Sequence, residues 1–125
     1  MKKLSIVVPC YNEEKVIETS YERINKTVQN LDYSSEIIFV NDGSSDQTGE
    51  ILSKLAKKNS QVKVITFSRN FGHQNAVTAG INHCNGDIAI IMDADMQDPP
   101  ELIPEMIHTM KENQAQVVYC VRKKR

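Results

Sequence analysis

The sequence predicts an α/β fold in which helices cover both faces of a mostly parallel sheet. Short runs of apolar and β-branched residues recur along the chain, and they alternate with stretches that have the three- and four-residue apolar spacing of a helix. Strands that are apolar throughout are typical of parallel sheets buried on both faces. The 125 residues suit one domain, residues 1–125, and contain no internal repeat or linker.

The predicted elements follow one another in the order β-α-β-α-β-α-β-α-β. The five apolar runs that we expect to form strands are Leu4–Val8, Ile37–Val40, Val62–Phe67, Ile88–Met92 and Val117–Val121. Asn12 is a favourable helix cap, so we expect the first helix to begin there, with two glutamates in its first turn. Later helices are expected from about Asp46, over His73–Asn82, and from Pro99-Pro100, because proline is tolerated in a first turn.

The composition is that of a globular protein and gives no sign of nucleic-acid binding. Hydrophobic residues make up 40% and charged residues 25%, and the formal net charge is −1. Cys10, Cys84 and Cys120 form no Cys-x-x-Cys pair, so we expect reduced thiols in the cytosol and no zinc site. No stretch approaches the ~20 apolar residues of a membrane span. The basic run 122–125 is either a solvated tail or a loop that meets phosphates or an anionic membrane surface.

Polar side chains follow each of the first four predicted strands. Ligands of open parallel sheets bind outside the carboxyl ends of the strands, so these segments form the candidate site. Asp93 and Asp95 follow the fourth strand, and alternate side chains of an extended chain point the same way. Two carboxylates held close together repel unless a cation lies between them, and a hard divalent ion shared with phosphate oxygens would satisfy both. Asp-x-Asp is also a common turn and cap sequence.

Three further polar residues at strand ends each have a functional and a structural interpretation. Asp42 is either an acceptor for a base or ribose, or part of an Asx turn with Gly43. Arg69 is either a phosphate clamp or a partner in a surface ion pair. His73 begins a helix, and a structural role is the expectation because no histidine cluster supports zinc. The absence of a Gly-x-Gly-x-x-Gly or Walker-type loop argues against a dinucleotide fold or a P-loop enzyme.

Several segments together resemble signatures of the inverting family-two glycosyltransferases, which have the GT-A fold. Residues 5–14 (SIVVPCYNEE), 40–46 (VNDGSSD) and 93–101 (DADMQDPPE) resemble the family's three signatures. Residues 68–76 (SRNFGHQNA) and 97–100 (QDPP) are similar to polyprenyl-phosphate glycosyltransferases, such as bactoprenol glucosyltransferases and dolichol-phosphate mannose synthases. The resemblance covers essentially the whole chain. It implies a GT-A nucleotide-diphospho-sugar transferase fold with a Rossmann-like sheet.

The resemblance implies an inverting transfer of a hexose from a nucleotide-diphosphate sugar, with UDP-glucose the expected donor. The acceptor would be a polyprenyl phosphate used in cell-envelope polysaccharide synthesis. Mg²⁺ or Mn²⁺ would be held by Asp93 and Asp95. The residues that match the family's substrate contacts are Pro9, Tyr11, Glu13, Asp42, Arg69, Asp93, Asp95 and Arg122. In members of the family, a glycine usually stands two residues before the position of Arg122, where this chain has Cys120.

Members of the family continue past the length of this chain, so the resemblance implies that residues 1–125 are a truncated GT-A domain. We expect the catalytic base, most acceptor contacts and any membrane-spanning segments beyond residue 125. The full protein is then expected in the cytoplasm at the inner face of the plasma membrane, and a homo-oligomer is compatible with this. The alternative is a non-catalytic nucleotide-sugar-binding fragment without the acceptor half. A phospho-receiver domain fits the length, but Ser68-Arg69 stand where its phospho-accepting aspartate should follow the third strand.

Overall fold

The computed structural model describes residues 3–95, 99–113 and 117–119. All five predicted strands and all four predicted helices are present in the predicted order. The elements are β1 (Lys3–Cys10), α1 (Ile17–Gln29), β2 (Ser34–Asn41), α2 (Thr48–Lys58), β3 (Val62–Thr66), α3 (His73–His83), β4 (Ile88–Ile91), a short 3₁₀ helix (Pro100–Leu102), α4 (Ile103–Asn113) and β5 (Val117–Tyr119). Within these residues, no helix is long and apolar enough to cross a bilayer.

The five strands form one parallel sheet in the order β3-β2-β1-β4-β5, which confirms the predicted α/β architecture. Successive side chains of a strand point to opposite faces, so the apolar strands supply two separate cores. On one face, Ile6 and Phe39 pack with residues of α1, α2 and α4. On the other face, Val7 and Val40 pack with Ala76 and Val77 of α3. Helices therefore cover both faces of the sheet, as predicted.

Helix α3 lies very close to the sheet. A Cβ atom added to Gly80 would collide with the Val7 side chain, so only glycine permits this approach. Because α3 connects β3 to β4, it crosses over β2 and β1 on its way. The close packing fixes the first turn of α3 at the carboxyl end of the central strands.

Strands β1 and β4 separate before β1 ends. Their pairing stops at Val7 and Ile91, followed by one more bond from Met92 N to Val7 O. Pro9 lies two residues after Val7, at the next position of β1 whose backbone N–H would face β4. Proline has no N–H, so no donor is left unpaired there. The first strand was predicted to end at Val8, where the apolar run stops before Pro9. Instead, β1 continues along β2 to Cys10. A gap between β1 and β4 opens at this point.

The first helix begins later than predicted. Helix α1 starts at Ile17 rather than at Asn12, and Asn12 has a left-handed backbone with φ of 53°. Its side-chain Oδ1 accepts a hydrogen bond from Ser45 N at 2.8 Å, so it caps a neighbouring loop and not its own helix. The fourth helix opens at the predicted place, with a 3₁₀ turn from Pro100.

Candidate active site

A cavity of about 550 Å³ lies at the carboxyl end of the sheet. Its lining residues come from the end of β1, from the loops after β1, β2 and β4, and from the first turn of α3. They are Pro9, Cys10, Tyr11, Glu13, Asp42, His73, Ala76, Asp93, Ala94 and Asp95. Six of the eight residues predicted to contact substrate are therefore brought together at one place. That these six residues contact a substrate stays a prediction.

The position of the cavity follows from the strand order. From β1 the chain proceeds to β2 and β3 on one side, and it then returns to β4 and β5 on the other. The direction therefore reverses between β1 and β4. Ligands of open α/β sheets bind in the crevice at such a switch point, outside the carboxyl ends of the strands. The gap that opens after Val7 and Ile91 is that crevice.

Acidic side chains dominate the cavity wall. Glu13, Asp42, Asp93 and Asp95 all line it. Burial raises the pKa of Glu13 above its usual value, and the negative charges of Asp95, Asp46 and Asp93 raise it further. These carboxylates are therefore close enough to repel one another. The cavity favours a cation, or a ligand that arrives with one.

The carboxylate of Asp42 holds the loop between β3 and α3. Its Oδ1 accepts a hydrogen bond from Phe71 N at 2.8 Å, and its Oδ2 accepts one from Gly72 N at 3.1 Å. The side-chain amide of Asn70 donates to the same Oδ2 at 3.2 Å. The local turn bond comes from Asn41, whose Oδ1 accepts from Ser44 N at 3.1 Å, whereas Asp42 bonds a loop about 30 residues away. Asp42 is 4% exposed, yet it still lines the cavity.

Gly43 lets these two loops come together. Its φ is +70°, a conformation that residues with a Cβ adopt rarely. A Cβ at this position would also overlap the backbone of Arg69 and Asn70. The loop after β2 and the loop after β3 are thus in direct backbone contact beside the cavity.

The loop after β1 is fixed to the start of α2. Asn12 N donates to Ser44 Oγ at 2.9 Å, Glu13 N donates to Thr48 Oγ1 at 2.9 Å, and Glu14 N donates to Asp46 Oδ2 at 3.2 Å. Asp46 in turn accepts from Thr48 N and Thr48 Oγ1 at 2.9 and 2.6 Å. The serines and the aspartate of this segment therefore position the backbone that carries Tyr11 and Glu13.

Two predicted contacts are not part of the described cavity. Arg69 does not line it, and its guanidinium instead lies 4.3 Å from the centroid of the Phe71 ring, a cation–π arrangement. Phe71 in turn makes an edge-to-face contact with Phe67. Arg122 and Cys120 lie outside the described residues, as does the basic run 122–125.

His73 is a cavity residue that the sequence interpretation missed. Its side chain is 61% exposed, and its Nε2 lies 3.8 Å from Asp93 Oδ1. The structural role expected for His73 stays a prediction, and the structure adds that its side chain lies on the cavity wall. The available signal was its place at a helix start just after a strand, since the first turn of such a helix lies at the same edge as the strand ends.

Cys10 also lines the cavity but is not a candidate nucleophile. It is 4% exposed, and its Sγ donates to Val40 O at 3.4 Å. Burial raises the pKa of this thiol to about 12, and the charges of Glu13, Asp42 and Asp46 act in the same direction. The thiolate that nucleophilic chemistry requires is therefore disfavoured.

Comparison with known proteins identifies the family. Residues 5–125 match the family described as glycosyl transferase family 2. The chain belongs to glycosyl transferase family 2. The glycosyltransferase YkcC of Bacillus subtilis is 51% identical to it over 121 residues, which are 97% of this chain and 37% of YkcC.

Other relatives within glycosyl transferase family 2 carry more specific names. The bactoprenol glucosyl transferase of Shigella phage SfV is 43% identical over 105 residues, 84% of this chain and 34% of that protein. The undecaprenyl-phosphate 4-deoxy-4-formamido-L-arabinose transferase of Photorhabdus laumondii is 41% identical over 113 residues, 90% of this chain and 35% of that protein. The chain thus spans 34–37% of the length of these three relatives.

Solved structures of GT-A glycosyltransferases share the fold. Glucosyl-3-phosphoglycerate synthase of Mycobacterium tuberculosis, in complex with Mn²⁺, UDP and phosphoglyceric acid, matches with a TM-score of 0.68 at 26% identity. The match covers 87% of this chain and 39% of that one. A mannosyltransferase of Pyrobaculum calidifontis matches with a TM-score of 0.73 at 22% identity, covering 87% of this chain and 32% of that one. The sheet described above is accordingly the GT-A sheet of glycosyl transferase family 2.

The carboxylates of the family 2 cavity fit a hard divalent cation. No group of three or more histidines, cysteines or acidic residues among the described residues could hold a metal by itself. Asp93 and Asp95 offer two carboxylates on the cavity wall. Mg²⁺ typically binds one or two carboxylates and completes its shell with substrate phosphates and water. The donor set therefore suits a cation that is shared with a diphosphate.

Proposed function

We propose that this chain forms the donor-binding part of an inverting glycosyltransferase that transfers a hexose to a polyprenyl phosphate. In this proposal the donor is a nucleoside-diphosphate sugar, with UDP-glucose the first candidate. Asp93 and Asp95 hold Mg²⁺ or Mn²⁺ against its diphosphate. Pro9, Tyr11, Glu13 and Asp42 surround the nucleoside.

The observation that carries the proposal is the acidic cavity at the β1/β4 switch point. Four carboxylates line it, and two of them belong to the Asp-x-Asp pair. A bare diphosphate would be repelled by such a wall, whereas a diphosphate bound to a divalent cation would be attracted. When bound, the cation would offset the charge that develops on the departing nucleoside diphosphate.

The names of the relatives support the lipid-phosphate acceptor and the glucosyl donor. One relative is named for a transfer to bactoprenol and another for a transfer to undecaprenyl phosphate. The M. tuberculosis structure, which is named for a complex with UDP and Mn²⁺, supports the nucleotide and the cation. We place the reaction at a membrane surface, because the lipid tail anchors a polyprenyl phosphate there, and at the cytoplasmic face as the family resemblance implies.

The residues of this chain would perform binding and orientation. The exposed ring of Tyr11 offers a face on which a nucleobase can stack. Asp42 has both carboxylate oxygens engaged with the loop after β3, so a nucleoside N–H or O–H would use its remaining lone pairs. Holding the donor in a fixed orientation contributes to rate by lowering the entropy lost on the way to the transition state.

Titration calorimetry tests the proposal. UDP-glucose, with GDP-mannose as the comparison, is titrated into the protein in the presence of Mn²⁺ and again in the presence of EDTA. We expect Mn²⁺-dependent binding that is lost in the double variant Asp93→Asn, Asp95→Asn. The matched control is Asp32→Asn, an exposed aspartate between α1 and β2 at the opposite edge of the sheet. Equal binding by the double variant and the control would refute the proposed site.

A further inference from the structure

One basic side chain stands in the otherwise acidic cavity. His73 is the first residue of α3, and among the residues that the structure describes it is the one lysine, arginine or histidine that lines the cavity. The ionisable groups around it are the carboxyls of Glu13, Asp42, Asp93 and Asp95, the buried Cys10 thiol and the Tyr11 hydroxyl. None of these except the hydroxyl readily donates a hydrogen bond to an anion.

The imidazole of His73 is placed beside the proposed diphosphate site. Its Nε2 lies 3.8 Å from Asp93 Oδ1, too far for a hydrogen bond but close enough to share a ligand with that carboxylate. The side chain is 61% exposed, so it can turn toward a bound group at little cost. A ligand atom held near Asp93 is therefore within reach of a ring N–H.

The first turn of α3 gives the same side of the cavity a favourable field. The helix has 11 residues and no side-chain cap at its N-terminus, and Ala76 of that turn also lines the cavity. Helix N-termini carry a partial positive charge that favours phosphate groups. A ring N–H of His73 and the N-terminal end of α3 therefore lie on the same side of the cavity, and both favour an anion.

We propose that His73 binds the donor by donating a ring N–H to a phosphate oxygen of the nucleoside diphosphate. This inference rests on the proposed function, because it assigns a further contact within the same donor site. It gives His73 a specificity role: the residue distinguishes a nucleoside diphosphate from a nucleoside, while the base and ribose are held by other residues. Asp93 and Asp95 keep the cation, and His73 contacts an oxygen that the cation leaves uncovered.

The test compares UDP with uridine in titration calorimetry at saturating Mn²⁺, using wild-type protein, His73→Ala and His73→Gln. Loss of one such hydrogen bond should weaken UDP binding by about 3- to 10-fold and leave uridine binding unchanged. The glutamine variant keeps an N–H donor and should recover part of the lost affinity. His83→Ala is the matched control, because it removes the same side chain about 15 Å away, at the other end of α3.

The outcomes separate this inference from the proposed function. If wild-type protein binds neither UDP nor GDP, the proposed function fails and the inference fails with it. If wild-type protein binds UDP and His73→Ala binds it equally well, the inference alone is overturned. An equal loss of UDP and uridine affinity would indicate a structural role, and a loss of Mn²⁺ affinity without nucleotide would indicate a metal ligand. Either result would also overturn it.

Discussion

Asp42 illustrates how one side chain can serve both the fold and the site. Its carboxylate lines the cavity and at the same time accepts hydrogen bonds from two backbone N–H groups of the loop after β3. A carboxylate can accept about four hydrogen bonds, so these contacts leave room for a ligand. The loop that carries Arg69 and Phe71 is therefore coupled to any ligand that binds Asp42.

Asp42→Asn should destabilise the protein and loosen the loop after β3. The amide can accept at one oxygen only, so at least one of Phe71 N and Gly72 N loses its partner. Loss of a partly buried hydrogen bond costs about 1 kcal/mol, which urea denaturation should detect as a lower free energy of unfolding. Asn70→Ala removes only the side-chain donor and should cost less. An Asp42→Asn variant as stable as wild type would contradict the bonding described here.

Cys10 should resist alkylation in the native protein although it lines the cavity. Burial raises its pKa to about 12, whereas Cys84 is only half-buried. Iodoacetamide at pH 8 should modify Cys84 before Cys10, as read by mass spectrometry of the peptides. Preferential modification of Cys10 would mean that the cavity opens much further than this structure shows.

At the scale of elements, a buried acidic residue joins the amino ends of three strands. Glu36 of β2 is 1% exposed, and it accepts hydrogen bonds from Lys63 Nζ of β3 and Ser5 Oγ of β1, each at 2.6 Å. It also accepts from Asn85 N at 2.6 Å, which fixes the loop before β4. This network lies at the edge of the sheet opposite the cavity and stabilises the fold.

The Glu36 network predicts a defined pH dependence of stability. Burial alone would raise the pKa of Glu36, but the bonds from Lys63, Ser5 and Asn85 outweigh it and lower the pKa from 4.5 to about 2. A lowered pKa contributes stability above the unfolded value, and that stability is lost as the pH falls from about 4.5 toward 2. The shift corresponds to about 3 kcal/mol. Urea denaturation of wild type and Glu36→Gln should differ by about this much at pH 7 and converge near pH 2. A constant difference across this range would contradict the assignment.

The strands were predictable from the sequence, and so was the beginning of α3 at His73, whereas the beginning of α1 was not. Ile37–Val40 and Ile88–Met92 are apolar at every position because both faces of the sheet are covered, and that pattern is local. Helix α1 does not start at Asn12, because the Asn12 side chain bonds Ser45, a residue on another loop. A hydrogen bond between two loops depends on the tertiary structure, so it cannot be predicted from the residues next to Asn12.

The site was predictable to the extent that it follows from strand ends. Asp42, Asp93 and Asp95 come directly after buried strands, and the carboxyl ends of parallel strands meet at one edge. The place of His73 on the cavity wall was not predicted, because it depends on α3 crossing the sheet between β3 and β4. Arg69 was expected near phosphate, and it is instead stacked on Phe71, a contact between neighbours in one loop.

For the whole molecule, the two edges of the sheet have different roles. The amino edge carries a buried ion-pair network whose partners are all provided by the chain itself. The carboxyl edge carries a crevice lined by Glu13, Asp42, Asp93 and Asp95, in which burial and then the charges of Asp95, Asp46 and Asp93 raise the pKa of Glu13. The stability of the domain and its proposed donor binding should therefore respond separately to substitution. Glu36→Gln should lower stability without changing nucleotide affinity, as thermal unfolding and calorimetry on the same sample can show.

The central claim is that a divalent cation and a nucleoside diphosphate bind together at the β1/β4 switch point. Paramagnetic broadening of backbone amide resonances by Mn²⁺ in the presence of UDP locates such a cation directly. The account predicts broadening centred on Asp93–Asp95 that extends to Tyr11–Glu13 and His73, and that weakens sharply when UDP is omitted. Broadening that is scattered over exposed acidic residues, or that is unchanged without UDP, would contradict it.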